Sequence, residues 1–474
     1  LIKISHPNMK FFFSYIFFSL LVHHSARADE KPNVIFIVID DMNDWISLLD
    51  NNSPIKTPNL IRLAEKGMLF TKAYCPSPAC NPSRVSVLTG LRPYTSGVYG
   101  NNSDWRKALP KRKTIFQKFK DHGYDVKGAG KIFHHKLNGA FHDDNSFDEF
   151  QHMRTQSHPQ KKLNDAPEYG SIRTDWGKFP VTEEDSIDHH TVDYCIDRIK
   201  EQKHGNKKPL FLACGIYRPH SPFYAPKKYH EMVGNVELPL RKDNDLNDLP
   251  LGANNLRKSS KWFWNGMEKL EARIPGSYKD FINSYAACCV FADQQVGRLL
   301  DAIEENLPSN DTVIVLWSDH GFHLGEKNHI EKFMLWEKTT HVPFVFVAPG
   351  ITKPGSQCSL PIDLTVLYPT LLDVCSMSVD EPCDNKSIIK LLSGDDAGWN
   401  QPAIMTYKKG NHALRNKRWR YIRYADGSEE LYDHSSDINE WNNVANNNEN
   451  AKIIKSLRKW LPVREKEQIS NLRR

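Results

Sequence analysis

The sequence lacks a strong excess of charge of either sign. Its 63 lysines and arginines nearly balance its 57 acidic residues, and the formal net charge is +6 at pH 7. Removal of residues 1–28 would take away Lys3, Lys10 and Arg27 but no acidic residue. Such a weak charge gives no reason to expect a nucleic-acid partner. Attraction to an acidic substrate must therefore come from local clusters of basic residues.

The chain also lacks low-complexity tracts. Hydrophobic residues make up 39% and charged residues 25% of its 474 positions, a balance typical of globular proteins. This length exceeds the usual single hydrophobic core. We therefore expect one large domain and a smaller one.

The N-terminal apolar run, from Phe11 to Val22, is too short to span a bilayer as an uncleaved anchor. Met9-Lys10 precede it and the small-residue pattern Ala26-Arg27-Ala28 follows. These features predict a secretory signal peptide over residues 1–28, with the residues before Met9 outside the native protein. We expect an exported protein, periplasmic or extracellular, that has no membrane attachment after cleavage.

Cysteine is sparse, with nine residues in the chain. An exported protein can form disulfides, and Cys375 with Cys383 is the first pair to test. Cys214 and the Cys288-Cys289 pair lie in apolar runs and are interpreted as small core residues.

Apolar, β-branched segments alternate with amphipathic helices along most of the chain. Val34–Ile39, Pro209–Tyr217 and Thr312–Trp317 are typical of strands buried on both faces. The alternation predicts an α/β domain over residues 29–395 with a large, mixed, mostly parallel sheet sandwiched by helices. Within it, residues 140–185 are polar and aperiodic and suggest an insertion over one face. Short strands from residue 396 onward predict a C-terminal α+β subdomain, 396–474, with an antiparallel sheet.

Two polar pairs follow predicted buried strands, Asp40-Asp41 and Asp319-His320. Because the carboxyl ends of parallel strands meet at one edge of a sheet, we expect these pairs to lie close together. Carboxylate oxygens suit Ca²⁺ or Mg²⁺, and we favour Ca²⁺. Solvated aspartates at strand ends are the alternative.

Cys80 precedes a predicted helix in which Pro82 occupies the first position and Gly90 the end. A helix N-terminus favours negative charge, and Arg84 lies one turn further on. From spacing alone, a buried or disulfide-bonded cysteine would be the simpler interpretation.

The pattern Cys80-x-Pro-Ser-Arg, followed by six residues that end in Thr-Gly, resembles the activation motif of type I sulfatases. In that family a maturation enzyme oxidises the cysteine to formylglycine, 3-oxoalanine. The resemblance implies an alkaline-phosphatase-like fold and hydrolysis of sulfate esters. It also implies a divalent metal held by Asp40, Asp41, Cys80, Asp319 and His320.

Further segments resemble the iduronate-2-sulfatase branch. Residues 130–134 are similar to its Gly-Lys-x-Phe-His stretch and residues 218–223 to its Lys-Pro-His-x-Pro-Phe stretch, while Lys332 lies at the matching distance after Leu-Gly-Glu. Phe322-His323 stand where that enzyme has Trp-Ala, and the C-terminal region is shorter. Four residues are candidate sugar contacts, although ordinary packing is the favoured interpretation for each: Trp105, Arg106, Trp336 and His412.

The resemblance implies a mechanism in which one hydroxyl of the hydrated formylglycine attacks sulfur. Arg84 and Lys131 would stabilise developing charge, and Lys332 would bind the sulfate together with His220. His220 would also protonate the leaving alcohol. His134 is the candidate base that deprotonates the second hydroxyl and releases sulfate.

Three functions remain open on the sequence. The leading hypothesis is an exo- or endo-acting hydrolase of sulfated glycans, either glycosaminoglycan-like uronate sulfates or algal polysaccharides. The second is a phosphonate monoester or phosphodiester hydrolase of the same superfamily, and the third is a non-catalytic glycan-binding protein. The sequence indicates neither the sugar nor the oligomeric state.

Overall fold

The computed structural model describes residues 31–134, 141–153, 159–164, 174–203, 208–258 and 260–472. Across these ranges, no helix combines the length and apolar character needed to cross a bilayer. The predicted signal peptide, residues 1–28, lies outside the described residues. Its cleavage and the export of the protein stay predictions.

The described strands are β1 (Asn33–Asp40), β2 (Met68–Phe70), β3 (Ala73–Tyr74), β4 (Asp125–Gly130), β5 (Glu149–Gln151), β6 (Trp176–Lys178), β7 (Leu210–Pro219), β8 (Phe223–Ala225), β9 (Thr312–Ser318), β10 (His323–Leu324), β11 (Ile330–Glu331), β12 (Phe344–Val347), β13 (Ser356–Cys358), β14 (Ile362–Asp363), β15 (Ala403–Thr406), β16 (His412–Arg415), β17 (Trp419–Arg423) and β18 (Glu429–Asp433). The described α-helices are α1 (Pro58–Glu65), α2 (Cys80–Thr89), α3 (Pro93–Ser96), α4 (Trp105–Ala108), α5 (Ile115–Asp121), α6 (Ile187–Lys203), α7 (Lys227–Val233), α8 (Leu251–Arg257), α9 (Lys261–Arg273), α10 (Ser277–Asn306), α11 (Glu337–Thr340), α12 (Leu367–Val374), α13 (Ile389–Leu392) and α14 (Ala451–Arg458).

The main sheet has eight strands in the order β13-β2-β12-β9-β1-β7-β4-β5. Every pairing is parallel except those of β12, which runs antiparallel to β9 and β2. This confirms the predicted mixed, mostly parallel sheet. β5 comes from the segment predicted to be a polar insertion over one face, and it forms an edge of the sheet instead.

Both faces of the sheet are covered, as its apolar strands predict. Ile35, Ile37 and Ile39 of β1 pack into one core with α1, α6 and α10. Val34, Phe36 and Val38 point to the opposite face, into a second core with α2, α5 and α12. The strand that carries Asp40 is therefore fixed on both sides.

The C-terminal sheet is antiparallel, in the order β15-β16-β17-β18. One face packs against α14, and the other contacts the segment around Leu335 and Trp336. The sequence predicted the antiparallel character but not β16. The domain boundary between residues 395 and 396 stays a prediction.

The structure contains no bond between Cys375 and Cys383, and all nine cysteines are free thiols. The two thiols have different neighbours. Cys375 contacts the Tyr124 hydroxyl, whereas Cys383 lies 3.4 Å from the Arg112 guanidinium. The pair named for the first test is therefore not bonded in the structure.

Candidate active site

Cys80 is the first residue of α2 and is fully buried. Ala79 is the extended residue before the helix, so Pro82 occupies the third position rather than the predicted first. Proline is tolerated there because the N–H groups of the first turn have no partner within the helix. Gly90, at φ 70°, ends the helix as predicted.

Asp40 ends β1, and Asp41 follows it at the carboxyl edge of the sheet. Asp41 has a φ of 62°, the left-handed region that non-glycine residues seldom adopt. Its N–H donates to Asp319 Oδ1 at 3.1 Å, and the Tyr285 hydroxyl donates to its carbonyl at 3.0 Å. These bonds hold a turn that brings both carboxylates beside the Asp319-His320 pair.

Arg84 connects the elements that meet at this edge. Its Nε donates to Asp319 Oδ2 at 2.8 Å, and its Nη2 lies 3.2 Å from Asp40 Oδ1. Its Nη1 donates to the Ile132 carbonyl at 3.0 Å. Burial would lower the pKa of Arg84, but Asp319 and Asp40 outweigh it and raise the pKa above its ordinary value. The guanidinium therefore stays charged.

The Cys80 sulfur lies among cationic and imidazole groups. Lys332 Nζ and His320 Nε2 are each 3.2 Å from Sγ, and the His134 ring hydrogen-bonds the thiol. Burial raises the pKa of Cys80, but Lys332, Lys131 and His320 outweigh it and hold the pKa well below its usual range. An oxygen group at this position would meet the same cationic surroundings.

Each of the two strand-end carboxylates has its own lysine. Lys131 forms a buried ion pair with Asp40, and Lys332 Nζ lies 2.9 Å from Asp41 Oδ1. Burial would lower the pKa of Lys332, but Asp41 and Cys80 outweigh it and raise the pKa well above its usual value. Both ammonium groups therefore stay charged beside Cys80.

His220 approaches the same carboxylates from the loop after β7. Its Nε2 is 3.9 Å from Asp41 Oδ2, and 21% of its side chain is exposed. The structure thus gathers every predicted catalytic side chain around Cys80: Arg84, Lys131, His134, His220 and Lys332. The catalytic role of each stays a prediction.

The residues at this edge fit a divalent cation. Donor atoms of Asp40, Asp41, Cys80 and His320 all lie within 4.8 Å of one another. Asp40 Oδ1 is buried and accepts no hydrogen bond among the described residues. His320 Nδ1 donates to the Gly321 carbonyl at 3.0 Å, which leaves Nε2 to face the carboxylates. This set is a potential metal site with hard oxygen ligands.

Asp319 stands beside this group. Its Oδ1 accepts hydrogen bonds from the N–H groups of Asp41 and His320, and its Oδ2 accepts one from Arg84. Through these bonds Asp319 holds the Asp41 turn and Arg84 in place, in addition to its predicted role as a metal ligand. Its role as a metal ligand stays a prediction.

The four candidate sugar contacts are engaged elsewhere. Trp105 Nε1 donates to the Phe141 carbonyl at 2.9 Å, and Trp336 Nε1 donates to Glu430 Oε2 at 2.8 Å. Arg106 stacks on Trp105 and pairs with Asp143, and His412 contacts Thr406. These contacts agree with the favoured interpretation of packing.

Two side chains that hold the site were not singled out from the sequence. Tyr285 bonds the Asp41 carbonyl from α10, far away along the chain. Ser83 Oγ donates to the Asp319 carbonyl at 2.6 Å. Ser83 belongs to the Cys-x-Pro-Ser-Arg pattern, whereas Tyr285 has no comparable signal because it sits in an ordinary helical stripe.

Comparisons with known proteins agree with this geometry. Residues 32–377 match the family model "Sulfatase", and residues 325–467 match "N-sulphoglucosamine sulphohydrolase, C-terminal". A sulfatase of Formosa agariphila is 37% identical over 92% of this chain and 89% of its own. Human iduronate 2-sulfatase is 28% identical over 89% of this chain and 82% of its own.

A solved structure shares the fold. The phosphonate monoester hydrolase of Agrobacterium radiobacter superposes with a TM-score of 0.73 at 22% identity, covering 90% of this chain and 96% of its own. With the family match spanning most of the sequence, the chain belongs to the type I sulfatase family.

Proposed function

We propose that this protein hydrolyses sulfate monoesters of sulfated glycans through a formylglycine formed from Cys80. The observation that carries the proposal is the position of Cys80 Sγ, 3.2 Å from both Lys332 Nζ and His320 Nε2 and within the group of metal-donor atoms. A glycan substrate is supported by the similarity to human iduronate 2-sulfatase. Uronate sulfates and algal polysaccharide sulfates are both consistent with it.

The formylglycine, in its hydrated form, supplies an oxygen nucleophile for attack on sulfur. Arg84 and Lys131 flank the position from the Asp40 side, and Lys332 flanks it from the Asp41 side. Fixed cations in a buried site stabilise negative charge that develops on the sulfate oxygens. A thiol at position 80 would lack the second hydroxyl, whose deprotonation re-forms the aldehyde and expels sulfate.

Asp40, Asp41, Asp319 and His320 would hold the metal, for which Ca²⁺ is our choice and Mg²⁺ the alternative. The metal supplies a Lewis acid and a template for the sulfate. The protein would supply buried carboxylate oxygens as ligands, on residues whose main chain is held by hydrogen bonds.

His220 is the proposed proton donor to the leaving alcohol. Its Nδ1 donates to the Ser221 carbonyl at 2.7 Å, so its Nε2 faces the site. An imidazolium N–H is a common general acid for such a leaving group. His134, whose ring hydrogen-bonds the Cys80 side chain, is the proposed base for sulfate release.

A formylglycine-generating enzyme is the maturation partner that this account requires, and export to the periplasm or beyond is part of the proposal. The sulfated glycans outside the cell would then be the substrates. The proposal includes degradation of such glycans, glycosaminoglycans among them.

The test is turnover by the matured protein and by Cys80→Ser, with 4-nitrophenyl sulfate and bis-4-nitrophenyl phosphate as paired substrates. We expect faster cleavage of the sulfate, and a loss of turnover in Cys80→Ser with unchanged thermal unfolding. Faster phosphodiester cleavage would favour phosphonate or phosphodiester hydrolysis. No turnover of either substrate by the matured protein would favour glycan binding alone.

A further inference from the structure

Tyr217 lies near the end of β7, three residues before His220. The centroid of its ring is 4.9 Å from that of the His220 imidazole, with an angle of 47° between the planes. On another side, Lys131 Nζ lies 5.1 Å from the same ring centroid. These separations are those of aromatic and cation–π contacts, so the phenol ring touches two of the proposed catalytic side chains.

The hydroxyl of Tyr217 shares an acceptor with His220. It donates to the Ser221 carbonyl at 3.0 Å, and His220 Nδ1 lies 2.7 Å from the same oxygen. A carbonyl only accepts hydrogen bonds, so Nδ1 carries a hydrogen. The remaining ring nitrogen, Nε2, therefore faces Asp41 Oδ2 at 3.9 Å. The Ser221 carbonyl thus holds the Nδ1 hydrogen and the orientation of the ring, so the proton that His220 donates is the Nε2 hydrogen of its imidazolium form.

The backbone beneath the ring is fixed independently. The buried Asp188 carboxylate accepts the N–H of Tyr217 at 2.6 Å and that of Arg218 at 3.0 Å. Arg218 Nη1 donates to the His220 carbonyl at 2.9 Å. Because these bonds involve main-chain atoms, they would survive truncation of the tyrosine side chain. The ring and hydroxyl of Tyr217 can therefore be tested separately from the loop.

We propose that Tyr217 is a positioning residue that holds His220 with Nε2 directed at the leaving oxygen of the substrate. The proposal rests on the proposed function, in which His220 protonates that oxygen. Loss of this positioning should affect turnover of some sulfate esters more than others. A leaving group that departs readily as an anion needs no proton, whereas a poor leaving group does. Loss of positioning should therefore slow esters of weakly acidic alcohols most.

The test compares unsubstituted phenyl sulfate, a poor leaving group, with 4-nitrophenyl sulfate, a good one. Tyr217→Leu should lower kcat for phenyl sulfate roughly 100-fold, the lower range for a lost general acid, and kcat for 4-nitrophenyl sulfate less than about 10-fold. KM should change little for either substrate, because the sulfate contacts remain. Tyr217→Phe keeps the ring but loses the hydroxyl. We expect it also to lower kcat more for phenyl sulfate than for 4-nitrophenyl sulfate, but by smaller factors than Tyr217→Leu.

Tyr194→Phe is the matched control, since Tyr194 lies on α6 with its ring against Arg198 and should leave both rates unchanged. An equal loss of both rates in a folded Tyr217→Leu, or no loss, would overturn the proposal. If Tyr217→Leu does not fold, Tyr217→Phe provides the test. A ratio of phenyl sulfate to 4-nitrophenyl sulfate turnover equal to that of the wild type would then overturn the proposal. Matured wild-type protein that cleaves neither ester would instead overturn the proposed function itself.

Discussion

Asp40 and Asp41 are neighbours in sequence but have different partners in the structure. Asp40 faces Lys131 and Arg84, whereas Asp41 faces Lys332 and His220. Each buried carboxylate thus has its own cation, as the cost of burying an unpaired charge requires. Among the oxygens of these two carboxylates, Asp40 Oδ1 accepts no hydrogen bond from the described residues, although Arg84 lies 3.2 Å away as an ion pair.

Removal of that oxygen should therefore weaken metal binding. We expect Ca²⁺ added after chelation to stabilise the wild-type protein by about 2.7 kcal/mol at a hundredfold excess over its Kd. In Asp40→Asn the increment at the same Ca²⁺ concentration should nearly vanish. Thermal unfolding with and without Ca²⁺ measures the increment in the wild type and in Asp40→Asn. The same experiment with Mg²⁺ provides the comparison. An equal Ca²⁺ increment in Asp40→Asn would remove Asp40 from the metal site.

The element that presents Lys332 is an unusual loop of the main domain. Five of its residues have a positive φ: Gly325, Lys327, Asn328, Glu331 and Phe333. Lys327 Nζ holds the loop to Asp245 Oδ1 at 2.9 Å, and His329 Nε2 donates to the Lys332 carbonyl at 2.9 Å. Backbone strain of this kind persists only where surrounding contacts over-determine it.

His329 makes the stability of this loop depend on pH. Burial lowers the pKa of His329 to about 4. Because the folded pKa lies below the ordinary value, the stability that the neutral ring contributes is present above pH 6.5 and is lost as pH falls towards 4. We expect the contribution to fall by about 2 kcal/mol between pH 7 and pH 5.

Urea unfolding of wild type and His329→Gln at both pH values measures this effect. The glutamine amide can keep a donor for the Lys332 carbonyl but does not titrate. The wild type should therefore lose more stability than the variant on acidification. Parallel losses in the two proteins would show that His329 does not titrate as described.

Helix α1 shows that a local sequence pattern indicates a helix but does not identify the residue that caps it. An apolar stripe and Pro58 at its start are typical of such a helix. Thr57 occupies the N-cap position, but its side chain makes no cap bond. Asp293 on α10 accepts the N–H groups of Asn59 and Leu60 instead. A cap supplied from a distant helix leaves no local signal.

At the scale of the whole molecule, Arg420 ties the C-terminal sheet to the main domain. It is fully buried and forms ion pairs with Glu337 of α11 and with Glu440, the latter at 2.6 Å. Its Nη1 also donates to the Leu335 carbonyl at 2.8 Å, three residues after Lys332. Buried ion pairs of Arg420 with Glu337 and Glu440 therefore connect the C-terminal sheet to the segment that follows Lys332.

Arg420→Met should lower the free energy of unfolding by about 3–5 kcal/mol, because it removes the guanidinium from two buried carboxylates, whose other partners include Arg415 and His434. Arg418→Met is the control. Arg418 precedes the same strand, its side chain is 58% exposed and it pairs with Asp433, so we expect a loss below about 1 kcal/mol. Chemical denaturation of both variants measures the difference, and similar small losses would contradict the role given to Arg420.

The overall architecture was largely predictable, and its exceptions have physical reasons. Buried apolar segments such as those of β1 and β9 indicate strands of a parallel sheet with little ambiguity. The antiparallel direction of β12 was not predictable, because a short apolar strand is the same in either direction. The strand-end aspartates and the Cys80 pattern located the site, whereas Tyr217 gave no signal because aromatic residues are common at the ends of buried strands.

The central claim is that an oxidised side chain at position 80 carries the nucleophilic oxygen. The most direct measurement is mass spectrometry of the peptide that contains Cys80, taken from a preparation that cleaves aryl sulfate. We predict an aldehyde in place of the thiol. An intact thiol in fully active protein would contradict the account.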